Sequence, residues 1–150
     1  MRMNLRRLAA LVAGLWAGLI LGIAAIGAPA SFANAARDVA GRVAGQMFAQ
    51  EAYVSLVAAV ALLVLVRRQA RDYAQAEAEA GRGSALSANV LLVLGALFCT
   101  VFGYFAMQPM MASARAGQGL LSFGVLHGVS AVFFLLKGLL VAVLAWRLSA

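Results

Sequence analysis

Four apolar stretches, each close to the length of a bilayer-spanning helix, constrain this chain more than any other feature of its sequence. They cover residues 8–28, 47–66, 88–107 and 120–146, and a transmembrane helix requires about 20 residues. The backbone can satisfy its hydrogen bonds in lipid only as a helix or a closed barrel, and continuous runs of this length are typical of helices. We therefore predict an all-α fold, a bundle of four transmembrane helices forming one integral membrane domain, with a polar loop over residues 67–87.

The composition agrees with this interpretation. Hydrophobic residues make up 65% of the chain, against roughly 45–50% in soluble domains, and the mean hydropathy is +0.95. The first seven residues, the apolar run and Ala28-Pro29-Ala30 imitate a secretory signal with its cleavage site. A signal's apolar region is usually about 7–15 residues long, and this run is longer. We expect an uncleaved first helix.

Arginine placement predicts the orientation. The excess of basic residues marks the cytoplasmic side of a membrane protein. With the N-terminus inside, eight arginines lie on the cytoplasmic side and three outside, namely Arg2, Arg6, Arg7, Arg67, Arg68, Arg71, Arg82 and Arg147 against Arg37, Arg42 and Arg115. We predict that both termini are cytoplasmic, in a multi-pass protein of the cell inner membrane.

The same arginines contribute to the net charge of the chain, which is +7. They lie between apolar runs and form no basic-aromatic face of the kind that nucleic-acid binding needs. Anionic lipid headgroups are the partner that suits them. The sequence therefore predicts the lipid bilayer as a partner and no nucleic acid.

A weak internal repeat links the first and third apolar runs. The first ends in Pro29-x-x-Phe32-Ala33, and the third in Pro109-x-Met111-Ala112. Glycine-containing stretches lead into the second and fourth runs. The pattern is that of two helical hairpins in parallel duplication, although a chance likeness would look the same.

Small residues at four-residue spacing predict how the helices pack, because close approach through small side chains replaces the hydrophobic effect in lipid. The predicted packing glycines are Gly14, Gly18, Gly22, Gly41, Gly45, Gly95, Gly103, Gly124 and Gly128. The sequence leaves open whether all these faces are used within one chain or some serve a homo-oligomer or another membrane protein.

The fourth helix carries the candidate polar site. At about 100° per residue, His127, Ser130 and Lys137 fall on one side and are expected to face the bundle. Leu126 and Leu144 fall on the predicted lipid face. On the second helix, one of Gln46, Gln50 or Glu51 is expected to face His127.

Ionisable groups at this depth are costly and indicate function by default. We therefore predict a ligand-binding polar pocket in the outer leaflet. In the competing interpretations His127 is structural, Lys137 snorkels to the interface, and Glu51 is solvated there.

Metal and enzyme chemistry find little support in the sequence. His127 is the only histidine. Met107, Met110 and Met111 would suit Cu(I), but methionine is more often a packing residue. No phosphate-binding glycine loop, Cys-x-x-Cys, zinc pair or nucleophile elbow occurs. An enzyme acting on soluble substrates is not favoured, and no metal or cofactor is predicted.

Several motifs resemble a known family. Pro29-x-x-Phe32, Ala40-Gly41-x-Val43-Ala44-Gly45-x-Met47-Phe48, Pro109 with Arg115, and Phe123-x-x-Leu126-His127-Gly128-x-Ser130 resemble the bacterial domain-of-unknown-function family related to transmembrane protein 205. The likeness covers about residues 8–144. It implies a four-helix membrane protein without an established activity.

A more distant likeness is to the copper-resistance-D and protoporphyrinogen-oxidase-J group, whose members place histidines in helical membrane bundles. Only His127 and Ser130 match the local motif. The family pattern often has an asparagine four residues after that serine, where this chain has Phe134. The expected function is a small binding or transport-related membrane protein. The alternatives are a haem-binding redox protein with His127 as axial ligand, and a structural or assembly partner of another membrane protein.

Overall fold

A computed structural model describes residues 5–78 and 87–150, and within these ranges every regular element is helical. Four helices follow one another: α1 (Leu5–Asn34), α2 (Arg37–Ala78), α3 (Ala88–Arg115) and α4 (Phe123–Ser149). Each contains a span long and apolar enough to cross a membrane. The predicted fold class, an all-α bundle of four membrane-spanning helices, is confirmed.

The four helices form a ring in which each contacts its neighbours in the chain and α4 closes against α1. α1 therefore lies diagonally opposite α3, and α2 lies diagonally opposite α4. The α1–α2 and α3–α4 connections lie at one end, which we call the hairpin end. The other end, the base, contains the start of α1 and the end of α4. Because the chain crosses four times, both termini lie on one side; which side is cytoplasmic stays a prediction.

Both prolines lie inside helices, so the prediction that helices end at Pro29 and before Pro109 was wrong. α1 continues through a π-helical segment, Ile23–Gly27, and α3 through another, Val101–Ala106. Proline has no N–H for the carbonyl four residues earlier and its ring crowds that carbonyl. The carbonyls concerned, four residues before each proline, lie within the two π segments, whose wider turn relieves the conflict. This shared interruption favours the proposed duplication.

The boundaries of α2 also differ from those expected. It begins at Arg37, ten residues before the predicted start, with an exposed Asp38–Arg42 pair at 3.1 Å in its first turns. It continues through Ala78, into the stretch predicted as a loop over residues 67–87. Residues 79–86 of that loop lie outside the described residues. α3 then begins at Ala88, where the Ser87 hydroxyl accepts from the Val90 N–H at 3.4 Å.

The main apolar core fills the half of the bundle nearer the base. All four helices contribute buried residues to it: Ala9, Ala13, Trp16, Ile20, Ala59, Leu62, Val66, Val90, Val93, Ala96, Val141, Leu144 and Leu148. Arginines connect the helices at the base, since Arg6 donates to the Leu148 carbonyl at 3.2 Å and Arg147 to the Asn89 side chain at 3.0 Å. A smaller cluster of Met107, Met111 and Leu126 lies in the hairpin half.

Only some of the predicted packing glycines pack within the chain. A Cβ at Gly95 would lie 3.1 Å from Leu140, and a Cβ at Gly103 would overlap the side chain of Phe133. The remaining predicted positions would meet no other part of the described chain within 4 Å: Gly14, Gly18, Gly22, Gly41, Gly45, Gly124 and Gly128. At these seven positions larger residues such as Trp16 and Leu126 occupy the inward faces of the bundle instead, and packing of these glycines against another chain stays a prediction.

A buried ion pair at the centre of the bundle

Glu51 and Lys137 form an ion pair inside the bundle. The Lys137 ammonium lies 2.8 and 2.7 Å from the two carboxylate oxygens of Glu51, and each residue is 2% exposed. Glu51 is 14 residues from Arg37 and 16 from Arg67, or about 21 and 24 Å along a helix. Because α2 and α4 are diagonal in the ring, the pair crosses the bundle axis close to the middle of the span.

Ser55 and Trp16 complete the polar network. The Ser55 hydroxyl donates to Glu51 and accepts from the Trp16 indole N–H at 2.8 Å and from the Lys137 ammonium at 3.3 Å. A buried indole N–H requires a partner of this kind. The network thus joins α1, α2 and α4, and both Glu51 oxygens and the Lys137 ammonium have partners.

α3 contributes two small polar groups to the interior. Cys99 is buried and lies 11 residues from the base end of α3, a depth similar to that of Lys137, which lies 12 residues from the base end of α4. The Thr100 hydroxyl, also buried, donates to the Ala96 carbonyl of its own helix at 2.9 Å. All four helices therefore surround the ion pair.

Two aromatic rings cover the pair on its hairpin side. Phe48 precedes Glu51 by three residues, and Phe134 precedes Lys137 by three, so each ring lies about one helical turn nearer the hairpin end. The rings meet edge to face with centroids 5.1 Å apart. The Lys137 ammonium lies 4.8 Å from the centre of the Phe134 ring, a cation–π distance.

The energetics of this pair point to a function. Moving two charges out of water is costly, and replacing a buried ion pair by apolar residues of similar volume is often neutral or stabilising. Removing one partner is strongly destabilising because it leaves an unpaired charge. Stability alone therefore does not account for Glu51 and Lys137, whereas ionisable residues within membrane spans mark ion or substrate paths.

The structure does not assemble the pocket predicted around His127. His127, Gln46 and Gln50 are exposed, and the imidazole stacks on Phe123 with ring centroids 5.7 Å apart. The expectation that His127 points into the bundle was wrong. Glu51, one of the three alternative partners of His127, binds Lys137 instead, ten residues or about 15 Å further along α4. Ligand binding by these predicted residues stays a prediction.

The predicted faces of α4 were half right. Lys137 and Ser130 do face the bundle, and the Ser130 hydroxyl donates to the Gly103 carbonyl at 2.6 Å. Leu126 and Leu144, assigned to lipid, are buried. The inward face is therefore rotated about the helix axis relative to the predicted one, so that His127 lies outside and the two leucines lie inside.

Lys137 does not snorkel and Glu51 is not solvated. The two competing interpretations, which placed these side chains at the membrane interface, were therefore wrong. Trp16 and Ser55 were not predicted as site residues from the sequence. A tryptophan within a membrane span, away from the interfaces that this residue prefers, was the available signal for a buried hydrogen-bond partner.

The groups considered for metal or haem binding do not converge. Among the described residues, no three of the His, Cys, Asp and Glu side chains come together as a metal site. Met107 and Met111 are buried against Leu126 while Met110 is exposed. A haem ligated by His127 needs an enclosing pocket, but the histidine lies on the outer surface of α4, so the residues of one chain do not fit that group.

Comparison with known protein families identifies the family of this chain. Residues 11–119 match the family described as Domain of unknown function (DUF4149). The protein belongs to the DUF4149 family. The match covers Trp16, Glu51 and Ser55 and ends before α4, which carries Lys137. No curated protein and no solved structure matches the chain.

Proposed function

We propose that this DUF4149 protein is a small transport-related membrane protein whose working site is the Glu51–Lys137 pair. The observation that carries the proposal is the pair itself, which lies buried at mid-span across the bundle axis. Transport sites in helical membrane proteins lie near the bilayer midplane. This position replaces the outer-leaflet pocket expected from the sequence.

The species handled is a proton or a small cation. The network has one negative group and one positive group, so Lys137 neutralises Glu51 in the resting state. A proton or cation that reaches the carboxylate competes with the ammonium for the same oxygens. The Ser55 hydroxyl is hydrogen-bonded to both partners, and it can keep its orientation while the ion pair opens. An incoming proton or cation thus displaces the tethered ammonium from the carboxylate, and its release restores the ion pair.

Proton flux into liposomes tests this proposal. Purified protein is reconstituted in vesicles that contain the pH dye pyranine, an inward proton gradient is imposed, and valinomycin with potassium clamps the membrane potential. Wild-type protein is expected to dissipate the gradient, and Glu51→Gln to lower the rate about tenfold or more, because the amide cannot carry the proton.

Two variants serve as controls. Arg42→Gln removes an exposed charge from the Asp38–Arg42 pair and is expected to leave the flux unchanged. The double variant Glu51→Gln/Lys137→Gln leaves no buried charge unpaired. If it folds but has lost the proton flux, the loss is due to function and not to stability. Equal flux in wild type and Glu51→Gln would contradict a proton-handling role.

A second function, an assembly partner, has one observation in its favour. Seven of the predicted packing glycines meet no other part of the described chain within 4 Å; six of them are exposed, and Gln46, Gln50 and His127 are exposed beside some of them. Small residues and polar side chains are what join helices in lipid. If this function holds, Gly18→Leu should abolish association measured by cross-linking in lipid, while His127→Ala should not.

A further inference from the structure

We infer that Phe48 and Phe134 form a gate over the Glu51–Lys137 site and that the site is reached from the hairpin end. The inference rests on the proposed function and adds to it a direction of access and two gating residues.

The base side of the pair is closed by apolar packing from every helix. Leu62 and Val66 of α2 and Val141 and Leu144 of α4 are at most 1% exposed, and all belong to the main core. A hydrated cation or a chain of water molecules would have to separate four helices to pass. Densely packed cores of this kind do not open by small rotations.

Apart from the cluster of Met107, Met111 and Leu126 between α3 and α4, the hairpin side is closed by little besides the two aromatic rings. No described residue of α1 beyond Ile20 is buried. The buried residues of α2 on this side are Ala40 and Ala44, which fill little volume. Here both π segments interrupt the regular hydrogen-bond ladder, in α1 at Ile23–Gly27 and in α3 at Val101–Ala106. Such segments occur frequently at functional sites.

The ring of Phe134 has two roles at this position. It contacts the Lys137 ammonium through its face and holds the Phe48 ring edge to face. Rotation of Phe134 therefore removes the cation–π contact and opens the path between α2 and α4 in one motion. The gate is consequently coupled to the ion pair, because an ammonium displaced from Glu51 also leaves the face of the ring that it holds.

Cys99, the chain's single cysteine, supplies a native probe of access. It is buried and lies 11 residues from the base end of α3, as Lys137 lies 12 residues from the base end of α4, so labelling of its thiol reports access to the depth of the ion pair. A membrane-impermeant, positively charged methanethiosulfonate is applied from either side of right-side-out and inverted vesicles. In Cys99→Ser protein, Ser122→Cys and Ser149→Cys calibrate the two sides.

Wild-type Cys99 is expected to react slowly from both sides. Phe134→Ala and Phe48→Ala should each raise the labelling rate about tenfold or more from the Ser122 side only, since access is limited by local opening. Leu144→Ala, a matched deletion in the base core, should leave the rate unchanged from either side. Size-exclusion chromatography and circular dichroism of each variant establish that it is folded.

Faster labelling from the Ser149 side, an equal effect of Leu144→Ala, or no effect in either folded Phe variant would overturn the gate. Because the readout is thiol reactivity and not flux, these results are independent of the proton assay. A gate that opens without proton flux would reject the proposed function alone.

Discussion

The two halves of the bundle differ in how they are held together. In the base half, apolar side chains from all four helices interlock and arginines connect the helix ends. In the hairpin half, two π segments interrupt the helices, and the buried cluster there contains Met107, Met111 and Leu126. The ion pair lies where the halves meet. A rigid base that holds a charged pair below a looser half is the arrangement expected of a site with one-sided access.

The largest effect is expected from breaking the pair at the junction. Lys137→Met leaves the Glu51 carboxylate buried without its cation and should destabilise the fold by about 3–5 kcal/mol. Unfolding followed by circular dichroism in mild detergent with increasing sodium dodecyl sulfate measures this change. The Glu51→Gln/Lys137→Met double variant should recover most of the loss, and a double variant as unstable as the single one would refute the account of the pair.

An intermediate effect should distinguish the two halves directly. Leu144→Ala in the base half is expected to cost about 2 kcal/mol, at the low end for a buried leucine, because transfer to lipid contributes little. Leu126→Ala in the hairpin half should cost about half as much, since its looser surroundings can close the cavity. The same unfolding assay compares the two, and a larger loss for Leu126→Ala would contradict the difference between the halves.

The smallest effects on stability are expected from alanine substitutions at two glycines, one packed against another helix and one that is not. Gly103→Ala should destabilise the protein by about 1–2 kcal/mol, because its new methyl group overlaps Phe133 and pushes α3 away from α4. Gly18→Ala, which meets nothing in the described chain within 4 Å, should leave monomer stability unchanged. Thermal unfolding of the two variants measures both effects, and equal destabilisation would show that Gly18 also packs tightly.

Run length was enough to predict the four helices. The sequence could not predict that α1 and α3 continue past their prolines, because the outcome depends on whether a π segment can absorb the missing hydrogen bond. The rotation of α4 was also out of reach. A helical wheel orders residues around an axis but does not say which sector faces the other helices. A wrong choice of the inward sector was enough to exchange His127 with Leu126.

The candidate site was predicted in its components but not in its pairing. Glu51 and Lys137 were both singled out as ionisable groups within apolar runs. Their pairing depends on α2 and α4 lying diagonally in the ring, which no periodicity reveals. Counting residues from Arg37 and Arg67 would have placed Glu51 at mid-span and drawn attention away from the outer leaflet.

The distance between Lys137 and Glu51 in a lipid bilayer tests the central claim most directly. Lys137 is the only lysine in the chain, so ¹⁵N-lysine places a single side-chain label, and ¹³C-glutamate labels its partner. Solid-state dipolar recoupling between the lysine Nζ and a glutamate carboxyl carbon reports their separation. The account predicts strong dephasing of the lysine Nζ signal at the chemical shift of a charged ammonium. In Glu51→Gln protein, prepared without labelled glutamine, this dephasing should be lost. A mobile lysine signal without dephasing would place Lys137 at the interface and contradict the buried pair.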